Sequence, residues 1–243
     1  MTTYTDPVLF AFEKRRNLLL SGPHGVGKTT RPVSIFEQNK VNYLFFNCPT
    51  MDVYEDLRGI PVVVNGEVNY ITPKHIGWQN AEFVLLDEPN RAHPKVIGAL
   101  YELIQFKRIN GVPLPNLKAV WATMNPSEDN YVVEQLDDSF FDRFQVRTEV
   151  TPELNEEFFL SRFPSLLNKE KFDKILTWWA AVPFAERKKN VSPRRVEYAI
   201  SAIEDGGSAS FVLPRTASPG ILDSIFQQVV PSTKPVNSGM FTT

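Results

Sequence analysis

The chain is poor in the residues that build disulfide frameworks and metal clusters. It contains one cysteine, Cys48, and three histidines among its 243 residues. A lone cysteine excludes an intramolecular disulfide framework and agrees with a reducing compartment. The three histidines are scattered along the chain rather than spaced like metal ligands, so a histidine metal centre is not expected.

Long apolar runs and an excess of basic charge are also missing. No apolar stretch is long enough for a membrane-spanning helix, and the polar opening segment, residues 1–5, does not resemble a signal peptide. The formal net charge is −2, so the composition carries no basic footprint of the kind typical of nucleic-acid binding. We therefore expect a cytoplasmic protein without membrane contact, for which a nucleic-acid partner is possible but not indicated.

A phosphate-binding loop is the most informative motif. The sequence G-x-x-x-x-G-K-[ST] lies between the apolar run 18–20 and a segment with helical character, which is the order that such a loop requires. The loop's backbone N–H groups and the following helix N-terminus would bind phosphates, Lys28 would reach the β- and γ-phosphates, and Thr29 would offer its hydroxyl to Mg²⁺. The alternative is a glycine-rich turn with an exposed lysine. The predicted nucleotide-binding residues are Gly22, Pro23, His24, Gly25, Val26, Gly27, Lys28, Thr29 and Thr30.

Two carboxylates follow a second apolar run. Residues 83–86 are continuously apolar and end in Asp87 and Glu88, a pattern typical of a strand that is buried on both faces and delivers side chains to its carboxyl edge. Asp87 is predicted to hold Mg²⁺ through water, and Glu88 to polarise the water that attacks the nucleotide. By itself the Asp-Glu pair is also compatible with an ordinary strand-to-helix turn.

Three further polar residues are candidates for catalysis. Asn125 follows the apolar run 117–123 and could share the attacking water, or it could belong to a plain Asn-Pro turn with Pro126. Arg143 lies among phenylalanines after a short helical stretch and is either a solvated charge or a finger that reaches the nucleotide of a neighbouring subunit. Arg194 follows Ser192 and Pro193, a typical helix start, and could turn toward a γ-phosphate or belong to a surface arginine pair with Arg195.

Alternating strands and helices predict an α/β fold. Strands near residues 18, 43, 83, 118 and 145, separated by helix-length segments, indicate a mainly parallel five-stranded sheet with helices on both faces. Asn65-Gly66 and Asn110-Gly111, each flanked by apolar residues, predict two β-hairpin insertions. The expected domains are an α/β nucleotide-binding core over residues 1–150, a small all-helical lid over residues 151–206 and a C-terminal tail over residues 207–243 that docks on a neighbour or stays loose.

In this order the motifs resemble those of an AAA+ ATPase, and the finer match is to its MoxR-like branch. Residues 56–59, 87–92, 122–126 and 142–144 are similar to that branch's D-L-x-G, D-E-x-N-R-A, A-T-x-N-P and D-R-F blocks. The resemblance implies a Walker A loop at 22–29, Walker B at Asp87 and Glu88, sensor 1 at Asn125, an arginine finger at Arg143 and sensor 2 at Arg194 or Arg195. It covers about residues 8–205, and the lid is shorter than is usual in MoxR-like proteins.

What this resemblance implies for function is a Mg²⁺-dependent ATP hydrolase. Members form ring oligomers, commonly hexamers, and remodel a partner protein, often beside one with a von Willebrand A domain. ATP and Mg²⁺ are the implied cofactors, and the choice of adenine over guanine is implied by the family alone. Two alternatives stay open at this point: a nucleic-acid motor or loader of the AAA+ class, and an ATP-held scaffold with little turnover.

Overall fold

The computed structural model describes residues 4–71, 76–125, 136–167 and 169–227. Within these ranges the chain divides between Pro152 and Glu153 into two compact units. The strands are β1 (Leu18–Ser21), β2 (Tyr43–Asn47), β3 (Ile60–Val64), β4 (Glu67–Ile71), β5 (Phe83–Asp87), β6 (Arg108–Ile109), β7 (Val112–Pro113), β8 (Ala119–Met124) and β9 (Val146–Glu149). The α-helices are α1 (Pro7–Glu13), α2 (Thr30–Gln38), α3 (Pro94–Phe106), α4 (Asp138–Phe141), α5 (Glu156–Arg162), α6 (Lys169–Ala181), α7 (Phe184–Lys189), α8 (Pro193–Glu204) and α9 (Pro219–Phe226).

The first unit is built around a five-stranded sheet in the order β2-β5-β8-β1-β9. Every pair of neighbours in this sheet is parallel. Because parallel strands need crossover connections, helices cover both faces of the sheet. The α/β class and the five-stranded sheet predicted from the sequence are therefore confirmed.

The central strands are continuously apolar because their alternate side chains enter two different cores. Leu18 and Leu20 of β1 pack with residues of α1 and α2 on one face, whereas Leu19 packs with residues of α3 on the other. The side chains of β5 and β8 alternate in the same way. This two-sided burial fixes the strands whose ends carry the polar motifs.

The two predicted hairpins are confirmed. Strands β3 and β4 pair antiparallel across Asn65 (φ 53°) and Gly66 (φ 83°), and β6 and β7 pair across Asn110 (φ 50°) and Gly111 (φ 76°). Two successive positive φ values match the type I′ turn that joins strands with a right-handed twist. The β3–β4 hairpin leaves apolar side chains in solvent, with Val63 74% exposed.

The helices of the second unit enclose a separate apolar core. Trp178 and Trp179 of α6 are buried in it, and Nε1 of Trp178 donates to the carbonyl oxygen of Ala217 at 2.7 Å. Ser192 precedes α8 as predicted, and its hydroxyl accepts from the N–H of Arg195 at 3.4 Å. None of the helices in the described ranges has the length and apolar character needed to cross a bilayer.

The structure differs from the sequence-based expectation for the C-terminal segment. Instead of a loose tail from residue 207, residues 209–226 form two short 3₁₀ turns and helix α9 within the second core. The Asp223 carboxylate accepts from Ser208 Oγ at 2.8 Å and from the N–H of Ala209 at 2.7 Å, which fixes α9 against the start of this segment. The prediction failed because the Gly, Ser and Pro residues of this segment favour a loop, although its buried Ala209, Leu213 and Ala217 recur every four residues. The rest of the predicted tail, 228–243, lies outside the described residues.

A buried asparagine joins several elements at the amino-terminal edge of the sheet. Asn17 is 4% exposed, and its Nδ2 donates to the carbonyl oxygens of Ile104 and Arg143, both at 3.0 Å. Its Oδ1 accepts from the N–H of Val120 at 2.9 Å and from Lys107 Nζ at 2.8 Å. One side chain thus ties β1 and β8 to the end of α3 and to the loop before β9.

The pKa of Lys107 gives the first testable prediction. Burial lowers it from 10.5 to about 8, so between these pH values the unfolded chain binds more protons than the folded one. The free energy of unfolding should therefore rise with pH across this window, by up to roughly 3 kcal/mol. Lys107→Met removes the titrating group, so urea unfolding from pH 7.5 to 10 should show a smaller rise in the variant than in the parent. Equal slopes in the two proteins would contradict the prediction.

Candidate nucleotide-binding site

The predicted site residues follow three neighbouring strands at one edge of the sheet. Strands β5, β8 and β1 are adjacent, and their ends are level because Ser21 pairs with Met124 and Asp87 with Thr123. The loop after β1, the carboxylates that end β5 and the asparagine after β8 therefore meet at the carboxyl edge. In open α/β sheets this edge is where ligands bind.

The loop that begins at Gly22 needs its glycines for conformation and for space. Gly25 (φ 74°) and Gly27 (φ 85°) have left-handed backbone that other residues rarely adopt. A Cβ on Gly22 would lie 2.4 Å from the carbonyl oxygen of Val150, so only glycine fits between β1 and the end of β9. The loop's shape is thus set by its glycines and by the strand beside it.

The remaining loop residues lead directly into helix α2. His24 and Val26 lie in the turn between the glycines, and Thr30 is the first residue of α2. The N-terminal end of α2 therefore adjoins the loop, where its N–H groups and dipole favour an anion.

Lys28 is held inside the loop. It is only 7% exposed, and its Nζ donates to the carbonyl oxygen of Pro23 and to Oδ1 of Asn125, both at 2.7 Å. An ammonium group with two oxygen acceptors in this position is placed to exchange them for phosphate oxygens. The contact also brings the predicted sensor 1 residue directly to the loop.

Asp87 and Thr29 form the part of the site suited to a cation. Thr29 Oγ1 donates to Asp87 Oδ1 at 2.8 Å, which places a hydroxyl oxygen beside a carboxylate oxygen. These are hard oxygen ligands of the kind that Mg²⁺ prefers, and Mg²⁺ usually takes only one or two protein ligands beside phosphates and water. The described residues contain no group of three or more His, Cys, Asp or Glu that could hold a metal ion.

Thr123 is a site residue that the sequence reasoning missed. It is fully buried, and its Oγ1 donates to the same Asp87 oxygen that accepts from Thr29. Its carbonyl oxygen also accepts from the N–H of Glu88 at 2.8 Å. Thr123 thus orients the carboxylate of Asp87 and holds the backbone of Glu88. The available signal was its position two residues before Asn125, within the segment quoted for the A-T-x-N-P block.

Glu88 combines unusual backbone geometry with a perturbed carboxyl group. Its φ of 54° and ψ of 50° lie in the left-handed region, a conformation that non-glycine residues adopt at a cost and that is concentrated at functional sites. Burial raises the pKa of Glu88, the nearby Asp87 acts in the same direction, and Lys28 and the N–H of Asn125 oppose the shift. A carboxylate with a raised pKa is a better proton acceptor near neutral pH.

Asn90 is a second residue that the sequence reasoning did not single out. It is 5% exposed, and its Nδ2 donates to the carbonyl oxygen of Asn125 at 3.4 Å. Its Oδ1 has no hydrogen-bond partner within the described part of the chain. Asn90 therefore steadies the backbone of Asn125 and has a buried acceptor oxygen to spare, and it lies within the segment quoted for the D-E-x-N-R-A block.

The two predicted arginines lie in different units of the chain. Arg143 lies before β9, and its carbonyl oxygen is bound by Asn17 at the amino-terminal edge of the sheet, opposite the loop. The five steps along the chain from Asn17 to Gly22 span about 16 Å of extended backbone. Arg194 lies in the first turn of α8 in the second unit, and Pro126 lies outside the described residues.

Comparison with known proteins agrees with this geometry. The family model described as "ATPase family associated with various cellular activities (AAA)" matches residues 17–146, more than half of the 243-residue chain. No curated protein matches the chain.

The chain also matches solved structures, all at low sequence identity. The "putative ATPase" of Cytophaga hutchinsonii has 22% identity and a TM-score of 0.46, over 89% of this chain and 78% of that one. A RuvB mutant of Thermotoga maritima has 14% identity and a TM-score of 0.45, over 90% and 66% of the two chains. The closed state of Hsp104 with ATPγS and FITC casein has 17% identity and a TM-score of 0.51, over 78% of this chain and 40% of that one. Of these three, the Hsp104 likeness supports the fold, and at this identity it supports the fold alone.

Proposed function

Since this chain belongs to the ATPase family associated with various cellular activities (AAA), through the match over residues 17–146, we propose that it is a Mg²⁺-dependent ATP hydrolase. In this proposal the protein assembles head-to-tail into a ring of six subunits and uses hydrolysis to remodel a partner protein. The observation that carries the proposal is the hydrogen-bonded cluster of Lys28, Asn125, Thr29 and Asp87 at the carboxyl edge of the sheet, with Glu88 beside it.

Each member of the cluster has a distinct role in the proposed reaction. The loop N–H groups and Lys28 bind the triphosphate and offset its charge. Thr29 and Asp87 would hold Mg²⁺, which supplies charge neutralisation for the β- and γ-phosphates when bound. Glu88 takes the proton of the attacking water, and Asn125, fixed by Lys28 and Asn90, orients that water.

The position of Arg143 favours action on a neighbouring subunit. Its backbone lies at the edge of the sheet opposite its own loop, about 16 Å away along the strand. An arginine side chain is too short to cross that distance, so Arg143 would complete the site of the adjacent subunit. Such a contact joins unlike surfaces, and unlike surfaces that repeat around an axis close into a ring.

We assign to the second unit and the hairpins the steps by which ATP hydrolysis acts on the partner protein. Arg194 would contact the γ-phosphate as sensor 2, so that hydrolysis releases the helical unit. The exposed apolar side chains of the β3–β4 hairpin would contact the client or the ring pore. A MoxR-like role beside a von Willebrand A domain protein is the finer proposal, and it rests on the sequence blocks alone.

Mixing two inactive variants tests the shared site. Lys28→Ala should lose ATP binding, whereas Arg143→Ala should bind Mg-ATP and hydrolyse it slowly. In a one-to-one mixture, half of the interfaces have the intact phosphate-binding loop of an Arg143→Ala protomer. Half of those interfaces also have the intact Arg143 of a Lys28→Ala protomer, so about a quarter of the parent rate should return. Steady-state phosphate release and size-exclusion chromatography with light scattering provide the measurements.

The control for this experiment is Arg147→Ala, which removes an exposed arginine from β9 and should keep the parent rate. Two results would overturn the proposal. One is mixed assemblies that form but recover no activity. The other is a protein that remains monomeric at every concentration yet hydrolyses Mg-ATP at full rate.

A further inference from the structure

We propose that Tyr101 is a positioning residue that holds the guanidinium of Arg143 ready for the neighbouring subunit's nucleotide. This inference rests on the proposed role of Arg143 and adds to it the residue that orients the finger. In the structure the Cζ atom of Arg143 lies 4.4 Å from the centroid of the Tyr101 ring. That distance is within the range of a cation–π interaction, which favours arginine over an electron-rich ring face.

Both the hydroxyl and the ring carbons of Tyr101 are held by neighbouring residues. Tyr101 Oη donates to Asp137 Oδ1 at 2.6 Å, and its edge packs against Phe140 with the ring centroids 5.6 Å apart. Asp137 also accepts from Ser139 Oγ at 2.7 Å and from the N–H of Phe140 at 2.9 Å, which caps α4. Tyr101, from the middle of α3, is thus locked to the start of the helix that precedes the finger.

Two hydrogen bonds also hold Arg143, one at its backbone and one at its guanidinium. Asn17 binds the carbonyl oxygen of Arg143 from the buried side, while Nη1 of Arg143 donates to the carbonyl oxygen of Ser139. The backbone of Arg143 is therefore fixed, and its side chain keeps only the rotation that a single guanidinium hydrogen bond to a carbonyl oxygen does not prevent. The Tyr101 face restricts that rotation before a neighbouring subunit arrives, which lowers the ordering cost at the moment of reaction.

An aromatic ring holds a cation without neutralising it. Among the described residues, Arg143 forms no ion pair with a carboxylate, although the more distant Asp137 carboxylate attracts it, and its Nε is buried without a hydrogen-bond partner. A carboxylate in the place of Tyr101 would compete with phosphate for the guanidinium, because two opposite charges attract more strongly than a charge and a ring quadrupole. Tyr101 therefore suits an arginine whose positive charge is needed by an anion elsewhere.

The test compares substitutions that keep or remove the ring face. Tyr101→Met preserves a long apolar side chain against Phe140 but has no ring, and we expect kcat for Mg-ATP to fall about fivefold to thirtyfold with KM changed less than about twofold. Tyr101→Phe keeps the ring face and loses only the hydroxyl, so its kcat should remain within about twofold of the parent. Tyr101→Leu provides a second ring-free variant, and melting temperatures identify any substitution that fails to fold.

Mixing distinguishes a positioning role from a general loss of structure. Tyr101→Met protomers have an intact phosphate-binding loop, and Lys28→Ala protomers have an intact Arg143 held on Tyr101. Adding Lys28→Ala protomers should therefore raise the hydrolysis rate above that of Tyr101→Met alone. A variant damaged in folding would gain nothing from this mixture.

The outcomes separate this inference from the function on which it rests. If Arg143→Ala hydrolyses ATP at the parent rate, the proposed role of Arg143 is wrong, and the positioning role of Tyr101 is wrong with it. If Arg143→Ala is slow while folded Tyr101→Met or Tyr101→Leu matches the parent, only the inference about Tyr101 is overturned. Equal losses in Tyr101→Phe and Tyr101→Met would also overturn it, because the hydroxyl and not the ring face would then be responsible.

Discussion

Glu88→Gln is expected to slow ATP hydrolysis at least about a hundredfold while ATP binding is retained. An amide cannot accept the proton of the attacking water, yet it has nearly the same shape and can accept the same hydrogen bond from the N–H of Asn125. Lys28, Thr29 and Asp87 remain in place, so the triphosphate should still bind. Single-turnover hydrolysis and fluorescent-nucleotide binding, measured on the same preparation, check the two parts of this prediction.

The raised pKa of Glu88 adds a dependence on pH. Because burial favours its protonated form, the parent's hydrolysis rate should fall as the pH decreases through a value above 4.5, the ordinary value for this carboxyl. For stability the sign is opposite to that of a salt-bridged carboxylate: the folded state binds the proton more tightly, so ionisation of Glu88 destabilises it as the pH rises. Glu88→Gln should therefore be no less stable than the parent at neutral pH.

A matched control lies at the other end of the same strand. Glu82 immediately precedes β5, as Glu88 immediately follows it, and Glu82→Gln should hydrolyse ATP at the parent rate. If Glu88→Gln turned over as quickly as Glu82→Gln, Glu88 could not be the base.

Gly22→Ala is expected to cause the largest structural loss of any single methyl group added to the site. The new Cβ would lie 2.4 Å from the carbonyl oxygen of Val150, and this backbone atom cannot move without disturbing the pairing of β1 with β9. We expect the free energy of unfolding to fall by about 2 to 4 kcal/mol and ATP affinity to fall with it, because the loop must shift away from β9. Urea unfolding and nucleotide titration measure both effects.

Substitutions at two other glycines distinguish steric overlap from the cost of a positive φ. Gly27→Ala meets no atom within 4 Å but keeps a φ of 85°, so it should carry only the conformational cost of about 1 kcal/mol or more. Gly98→Ala, in the interior of α3 with open space around it, should stabilise the protein by about 0.5 to 1 kcal/mol. A Gly22→Ala variant as stable as Gly98→Ala would show that the close approach to Val150 does not constrain the loop.

That Lys28, Asp87 and Asn125 lie together at one edge of the sheet could be predicted, because each belongs to a local pattern and one topological rule joins the patterns. Lys28, Asp87 and Asn125 each follow an apolar run, and the carboxyl ends of parallel strands meet at one edge of a sheet. The hairpins were predictable for a similar reason, since an Asn-Gly pair adopts the two positive φ values that a two-residue turn requires.

Thr123, Asn90, Asn17 and Tyr101 could not be assigned their contacts in this way. Their partners are distant along the chain, as with Asn17 and Arg143, whose sequence separation is 126, and no periodicity links a polar residue to such a partner. An asparagine before a strand or a tyrosine in a helix is ordinary in sequence. Each becomes informative only through what packs against it.

The sequence by itself determined the glycine-rich loop after β1, the two carboxylates at the end of β5 and the alternation of strands and helices, because these depend on backbone preferences and on hydrophobic periodicity over a few residues. Only the tertiary structure decided that Thr123 and Thr29 share one oxygen of Asp87, that Gly22 has no room for a side chain, and that Arg143 is held on a ring at the edge away from its own loop. Those relations arise where separate segments meet at van der Waals distance, and local preferences contain no information about which segments will meet.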